Sequence, residues 1–310
     1  MRNEFVESQI DSASGAQLHL YSRLPEGRVR AAVHINHGMA EHGARYGRFA
    51  RALSGAGFAV FAHDHRGHGK TEAPDAPRGV FAAESGFDRV IEDVLAVNSH
   101  IRSRDRDTPV VVFGHSMGSI IALNFALRHP ERVDGLACWN AGVETGVMAR
   151  ASRIILGAQR LLRGRNHPSA LARKLTFDTW NKQFRPNRTE FDWLSRDKAE
   201  VDAYVADPAC GFDVSVGLWL DLLDGVFYAG SDANLKRLHK GLAVHIQGGG
   251  ADPCSNKGRD MEHLAKRMGK AGMKDVTSVI LPETRHESLN EINRMDITAG
   301  FLGWLNKRFH

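Results

Sequence analysis

Short apolar runs recur along the chain, separated by stretches in which apolar residues return every three or four positions. Ala31–Asn36 and Phe58–Ala62 are short and apolar. Val110-Val111-Val112-Phe113 is a continuous β-branched and aromatic run, the pattern of a strand covered on both faces. Leu136–Trp139, Ala243–Gln247 and Val276–Leu281 continue the series, while Tyr46–Ala56, Phe87–Ser103, Met117–Arg128, Asp260–Met268 and Asn290–Phe309 have helical spacing. Alternation of this kind predicts an α/β fold, a parallel sheet with helices on both faces.

The alternation stops between about Glu144 and Leu238, where the pattern is helical and broken by loops. Met148–Arg163 is strongly amphipathic: Met148, Ala151, Ile154, Ile155, Ala158, Leu161 and Leu162 share one side, and Arg150, Arg153, Arg160 and Arg163 the other. Ten of the chain's 24 aromatic residues fall in this stretch, enough for a small core or a pocket lining of its own. The expected organisation is a core of residues 1–143 and 239–310, with residues 144–238 inserted as a helical cap over the sheet's carboxyl edge. Trp180, Phe184, Trp193, Phe212 and Trp219 are its candidate substrate contacts.

A 42% hydrophobic and 25% charged composition is that of a globular protein with a sizeable core. No apolar run approaches the ~20 residues of a membrane span. The start, Met1–Glu7, carries acids where a leader peptide needs an apolar stretch. A cytoplasmic protein is expected. Cys138, Cys210 and Cys254 are too few and too far apart for a disulfide framework or a metal-ligand spacing. The net charge is +5, but Arg150–Arg188 holds ten basic residues and a single acid, Asp178, so the remainder is slightly acidic. Such a patch suits an anionic surface, lipid headgroups or nucleic acid. No nucleic-acid-binding module is recognisable, so nucleic acid is not expected as a partner. A basic amphipathic helix reads as peripheral contact with an anionic membrane, or as a solvated face without a partner.

Candidate chemistry centres on Gly114-His115-Ser116-Met117-Gly118. A G-x-S-x-G pentapeptide arises by chance roughly 0.2 times in a chain with this much serine and glycine, so context decides its meaning. Here it directly follows the run Val110–Phe113 and opens the helical stretch Ile120–Leu127. A strand–turn–helix elbow exposes the serine Oγ, and the glycines allow backbone to approach closely. A serine hydroxyl needs a base, and the base needs an orienting acid. Asp252, in Gly248-Gly249-Gly250-Ala251-Asp252-Pro253, and His286, in Pro282-Glu283-Thr284-Arg285-His286-Glu287, each follow a predicted strand in the order this chemistry takes on such a sheet. Asp221, Asp224 and Asp232 fall in the helical insertion and are weaker candidates. The oxyanion requires two convergent N–H donors, expected from the amides of Met117 and Met39, with His37 structural.

These residues resemble those of the monoacylglycerol lipase and bacterial lysophospholipase group of α/β-hydrolases, related to the S33 serine aminopeptidases. His37-Gly38-Met39-Ala40-Glu41-His42, followed by Arg45-Tyr46, is similar to that group's oxyanion loop. Asp64-His65-Arg66-Gly67-His68-Gly69 and Gly114–Gly118 are similar to its D-x-x-G-H-G turn and G-H-S-M-G elbow, and the segments holding Asp252-Pro253 and His286-Glu287 complete the set. Phe191–Asp197 through Asp207–Phe212 resembles the cap of the lysophospholipase-type members. Ser119 departs from the glycine usual after the elbow, and the loop from Asp252 to Gly258 is a residue shorter than in the monoacylglycerol lipases, so their cysteine there does not map securely onto Cys254. The resemblance implies a mostly parallel eight-stranded sheet and hydrolysis of single-chain lipid esters, monoacylglycerol or lysophospholipid, through Ser116, His286 and Asp252, without a cofactor. Short-chain carboxylesterases and proline-type aminopeptidases share the fold and stand as alternatives.

Two other classes are weighed. His63, His65 and His68 invite a zinc reading, but Gly67 stands where an acidic ligand would be needed, and no metal is expected. A catalytically inactive lipid-binding fold would lack a member of the triad, whereas all three are present in the sequence.

Overall fold

The computed structural model describes residues 5–310, so the first four residues of the acidic start lie outside the described residues. The elements run β1 (Val6–Asp11), β2 (Gln17–Arg23), β3 (Ala31–Asn36), α1 (Gly47–Gly55), β4 (Phe58–His63), α2 (Gly86–Arg104), β5 (Val110–His115), α3 (Met117–Arg128) and β6 (Gly135–Trp139). Six helices follow: α4 (Val147–Arg163), α5 (Ala170–Leu175), α6 (Phe177–Asn181), α7 (Lys198–Ala206), α8 (Val216–Ala229) and α9 (Asp232–Leu235). The chain then returns to the sheet with β7 (Ala243–Gly249), α10 (Arg259–Lys270), β8 (Asp275–Leu281) and α11 (Arg294–Asn306). One eight-stranded sheet results, in the order β1-β2-β4-β3-β5-β6-β7-β8. β1 and β2 pair antiparallel with each other, and β2 with β4, while every pairing from β4 to β8 is parallel.

The two-residue period of β5 explains the layering. Val110 and Val112 face a core shared with Val90, Val94, Ile121, Leu264 and Met268 of α2, α3 and α10. Val111 and Phe113 face the opposite core, with Phe49 and Leu53 of α1 and Phe301 and Trp304 of α11. The sheet is therefore covered on both sides, and the carboxyl ends of its parallel strands open toward one rim. Six strands were legible as apolar runs. β1 and β2 were not: β1 is an exposed edge, and β2 breaks its Leu18/Leu20 alternation with His19, Tyr21 and Arg23.

Residues 147–235 contain only helices and loops between β6 and β7. α4 packs through its polar side: Leu156 is its one buried residue, Arg153 reaches Asp224 of α8 at 2.7 Å, and the apolar stripe faces outward. Met148, Ile154, Leu161 and Leu162 are 73–88% exposed.

Behind the rim lies a group of buried histidines. His34 on β3 and His63 on β4 meet at 3.2 Å, the His63 and His65 rings meet edge to face at 4.6 Å, and the His37 and His65 rings are tilted against each other at 4.5 Å. His37 Nε2 accepts the His65 N–H at 2.9 Å, so the proton on Nδ1 is the one that bonds the Gly38 carbonyl at 2.7 Å, and the ring is neutral. Burial is the main reason that His34 and His68 are pushed down to about 3 and His37 to about 4, with His63 and His65 also held well below 6.5. The sign of the linkage follows. The unfolded chain takes up protons as pH falls through about 6.5, and the folded chain does not until about 3–4. Stability is complete above this window and declines as pH falls through it, each ring contributing up to about 1.4 kcal/mol per pH unit. Urea unfolding at about pH 7.5, 6 and 5 should show a falling midpoint; a constant midpoint to about pH 5 contradicts neutral buried histidines.

Candidate active site

The carboxyl end of β5 runs directly into α3, and Ser116 occupies the turn between them with φ 54° and ψ −124°. A non-glycine residue in this region is strained by roughly 1–3 kcal/mol, so the surroundings must enforce it. They do so by contact: a Cβ on Gly114 would lie 2.0 Å from the Gly118 carbonyl, and a Cβ on Gly118 would lie 2.0 Å from that of Asn36. The Ser116 N–H is held by the Trp139 carbonyl of β6 at 2.9 Å.

β7 and β8 deliver the other two expected residues. His286 Nε2 lies 2.9 Å from Ser116 Oγ, and His286 Nδ1 lies 3.0 Å from Asp252 Oδ1. Asp252 is wholly buried, and its carboxylate has three further donors: the Cys254 N–H at 2.9 Å, Ser255 Oγ at 2.7 Å and Asn140 Nδ2 at 3.2 Å. Burial alone would push this carboxyl up, but His286, Ser255 and Asn140 outweigh it and hold it below the usual range. The three competing acids are engaged elsewhere, Asp221 with Arg165, Asp224 with Arg153 and Asp232 with Arg267.

The loop after β3 lies against the serine, with the Cβ position of Gly38 only 3.4 Å from Ser116 Cβ. Met39 and Met117 flank Ser116 at the wall of one cavity. Glu41, which the residue pattern did not single out for a role, fixes this loop from behind. Its carboxylate accepts the Gly38 N–H at 2.5 Å and the Tyr46 hydroxyl at 3.0 Å, and it pairs with Arg45. Arg45 also binds both oxygens of Glu287, at 2.6 and 2.7 Å. Burial disfavours charge on all three groups, yet their mutual attraction keeps both acids ionised and the guanidinium protonated. Glu287 is thereby turned away from the serine.

A cavity of about 200 Å³ opens from Ser116 and His286 beneath the helices between β6 and β7. Its wall is mainly apolar, with Phe177, Trp180, Trp193, Trp219, Leu222 and Val226 prominent. Trp193 lies against the His286 ring at 4.7 Å. Two of the aromatics expected here are elsewhere. Phe184 stacks under Arg285 at 4.2 Å, and Phe212 packs against His68 and Arg78 at 5.3 and 4.3 Å, so neither lines the cavity. Phe184 lies in a single short turn and Phe212 in a loop, where no periodic pattern reveals which way an aromatic side chain faces.

Among the described residues, the trio with metal-ligand atoms close enough to converge is His42, Asp207 and Cys210, not the histidines at 63, 65 and 68. Its carboxylate already accepts from His42 Nε2 at 2.9 Å and from the Ala209 N–H at 2.8 Å, one on each oxygen.

Comparison with known proteins agrees with the fold. The chain is 30% identical to the human monoglyceride lipase over 299 residues, covering 91% of this chain and 87% of that one. Its structure superposes on a thermostable carboxyl esterase from Bacillus coagulans with TM-score 0.85 at 22% identity, and on a lipase in an open form with TM-score 0.83 at 27% identity, covering 98% of both chains in each case. The family described as serine aminopeptidase, S33 (Hydrolase_4) matches residues 27–293. The chain therefore belongs to this S33 family of α/β-hydrolases, in the group that includes the monoglyceride lipases.

Proposed function

We propose that the protein hydrolyses carboxylic esters of single-chain lipids, monoacylglycerols or lysophospholipids, with Ser116 as nucleophile, His286 as general base and acid, and Asp252 as the group that orients the imidazole. The observation that carries this reading is the continuous chain Asp252–His286–Ser116, with links of 3.0 and 2.9 Å, ending at the mouth of an apolar cavity. His286 takes the Ser116 proton as Oγ attacks the ester carbonyl. The Met39 and Met117 amides stabilise the oxyanion, and His286 then protonates the leaving alcohol. Water activated by the same imidazole releases the fatty acid, with no cofactor required.

An ester fits this site better than a peptide with a free amino terminus. An aminopeptidase must anchor a cationic amine, and the acids at the cavity wall, Glu41 and Glu287, are both committed to Arg45. The aromatic wall instead suits an acyl chain, whose burial yields about 0.8 kcal/mol per methylene. Residues 144–238 act as the cap in this reading. The outward apolar stripe of α4, with Arg150, Arg160 and Arg163 exposed beside it, supports peripheral contact with anionic lipid surfaces.

Fluorophosphonate should label the protein covalently, and Ser116→Ala should abolish both labelling and, by several orders of magnitude, turnover. Persistent labelling of that variant would give the nucleophile to another residue. Across p-nitrophenyl esters, a monoacylglycerol, a lysophospholipid and a proline amide, the two lipids should be the best substrates. Preference for acetyl or butyryl esters favours a short-chain esterase, and rapid amide cleavage a peptidase. The protein should sediment with anionic vesicles and less with zwitterionic ones, and Leu161→Ser with Leu162→Ser should weaken both; absent binding removes the membrane role.

A further inference from the structure

Asp252 is not held by its own loop alone. Asn140 follows β6, the strand between those carrying Ser116 and Asp252, and adopts φ +58°, a left-handed conformation that asparagine tolerates better than most residues. That conformation carries its side chain to the far side of the carboxylate from His286. The Asn140 N–H is anchored to the Gln247 carbonyl of β7 at 2.9 Å. Nδ2 donates to Asp252 Oδ2 at 3.2 Å, and Oδ1 accepts from Ser288 Oγ at 2.9 Å. The direction of this chain is dictated by chemistry. An ionised carboxylate only accepts, so the amide must turn its NH₂ toward Asp252, and its oxygen is then left for Ser288, which must donate. Ser288 is buried, two residues beyond His286, and its N–H bonds the His286 carbonyl at 3.2 Å. The circuit thus closes from His286 through Asp252, Asn140 and Ser288 back to the backbone of His286.

We propose that Asn140 and Ser288 are positioning residues for the reaction, fixing the rotamer of Asp252 and, through it, the imidazole that faces Ser116. This rests on the assignment of Ser116, His286 and Asp252 made above. Neither residue touches the cavity, so neither is expected to contact substrate. Cys254, Ser255 and Asn140 together with His286 give the carboxylate four donors, as many as its lone pairs accommodate. Removing Asn140 leaves Oδ2 with Ser255 alone and frees the carboxylate to rotate. Removing the Ser288 hydroxyl frees the amide to flip, which would set an oxygen against the carboxylate. The titratable groups around this centre are Cys254 and Asp260 after β7, His115 on β5 with Glu41 behind it, and Glu287 beside His286. None of them substitutes for the Asn140 donor.

The test uses Asn140→Gly, which keeps the left-handed backbone, Ser288→Ala, and Asn140→Asp, which keeps shape but exchanges the donor for an acceptor. Ser116→Ala and Asp252→Asn are measured first; if Asp252→Asn turns over at the wild-type rate, the triad assignment fails and the positioning role with it. Given an intact triad, Asn140→Gly and Ser288→Ala should lower kcat about 10- to 100-fold with KM nearly unchanged. Asn140→Asp adds negative charge beside Asp252 and should move the acid limb of the kcat/KM profile to higher pH, because it favours the protonated imidazole. A residue that merely braces the fold would move neither the kcat-to-KM split nor the pH limb. Wild-type kcat in both Asn140→Gly and Ser288→Ala, with an unshifted limb in Asn140→Asp, overturns the proposal. If these variants melt well below the wild type, pre-steady-state labelling of the folded fraction by fluorophosphonate gives the same comparison, and unchanged labelling rates overturn it equally.

Discussion

The arrangement at the sheet's rim depends on how closely two stretches of backbone approach each other beneath Ser116. β5 is central, flanked in parallel by β3 and β6, and its carboxyl end has only the width of a glycine in which to turn into α3. Gly118 rests on the Asn36 and His37 carbonyls at the end of β3, and Gly114 rests on Gly118. This double contact forces the turn to reverse at Ser116, which accepts a positive φ because its neighbours leave no alternative. The same contact brings the loop after β3 against Ser116, so the strained serine and the proposed oxyanion donors come from one packing constraint.

A second constraint couples this rim to the helices above it. The Ala40 carbonyl, in the loop after β3, accepts from the Tyr204 hydroxyl at 2.9 Å and the Gly211 N–H at 3.0 Å. On the opposite side, the Glu287 N–H bonds the Leu194 carbonyl at 2.7 Å, and Arg285 Nη1 bonds that of Ser195 at 3.1 Å. The inserted helices thus grip the two loops that flank the serine. Arg45 joins those loops from below by pairing with Glu41 on one and Glu287 on the other. A buried arginine between two carboxylates is a weak source of net stability, because desolvation offsets most of the attraction, but it is intolerant of losing a partner. Its value here lies in geometry: it ties the loop after β3 to the loop that bears His286, on either side of Ser116.

Much of this was legible in the chain, for identifiable reasons. The strands β3 to β7 are buried on both faces, β8 at the edge is half-buried but still apolar, and all six read as apolar runs with ends within two residues of those in the structure. β1 and β2 escaped because one is an exposed edge and the other carries polar residues that find partners, as His19 does with Glu7. Ser116, Asp252 and His286 were each legible as residues just beyond a strand, since a parallel sheet brings all such positions to one rim. Asn140 has the same topological position after β6, yet an amide among many has no chemical signature, and its partner Ser288 lies 148 residues away. The aromatics of the insertion were the least legible. Their roles depend on how short helices and the loops between them settle over the sheet, so Trp180, Trp193 and Trp219 reach the cavity while Phe184 and Phe212 cover arginines instead.

α4 packs through its charged side rather than its apolar stripe. Burying its leucine stripe against α8 would have aimed Arg153 at solvent and left Asp224 without its partner, whereas the observed packing uses Leu156 and the Arg153–Asp224 pair and leaves the stripe outside. An exposed pair does little for folding, so it does not by itself explain why so much apolar surface faces water. Leaving Leu161 and Leu162 more than four-fifths exposed forgoes roughly 1.5–3 kcal/mol for each side chain that burial would otherwise return. A surface with that cost is maintained when something covers it part of the time. The cavity with the apolar wall lies under the same inserted segment, so that segment turns apolar side chains both inward toward Ser116 and outward from α4.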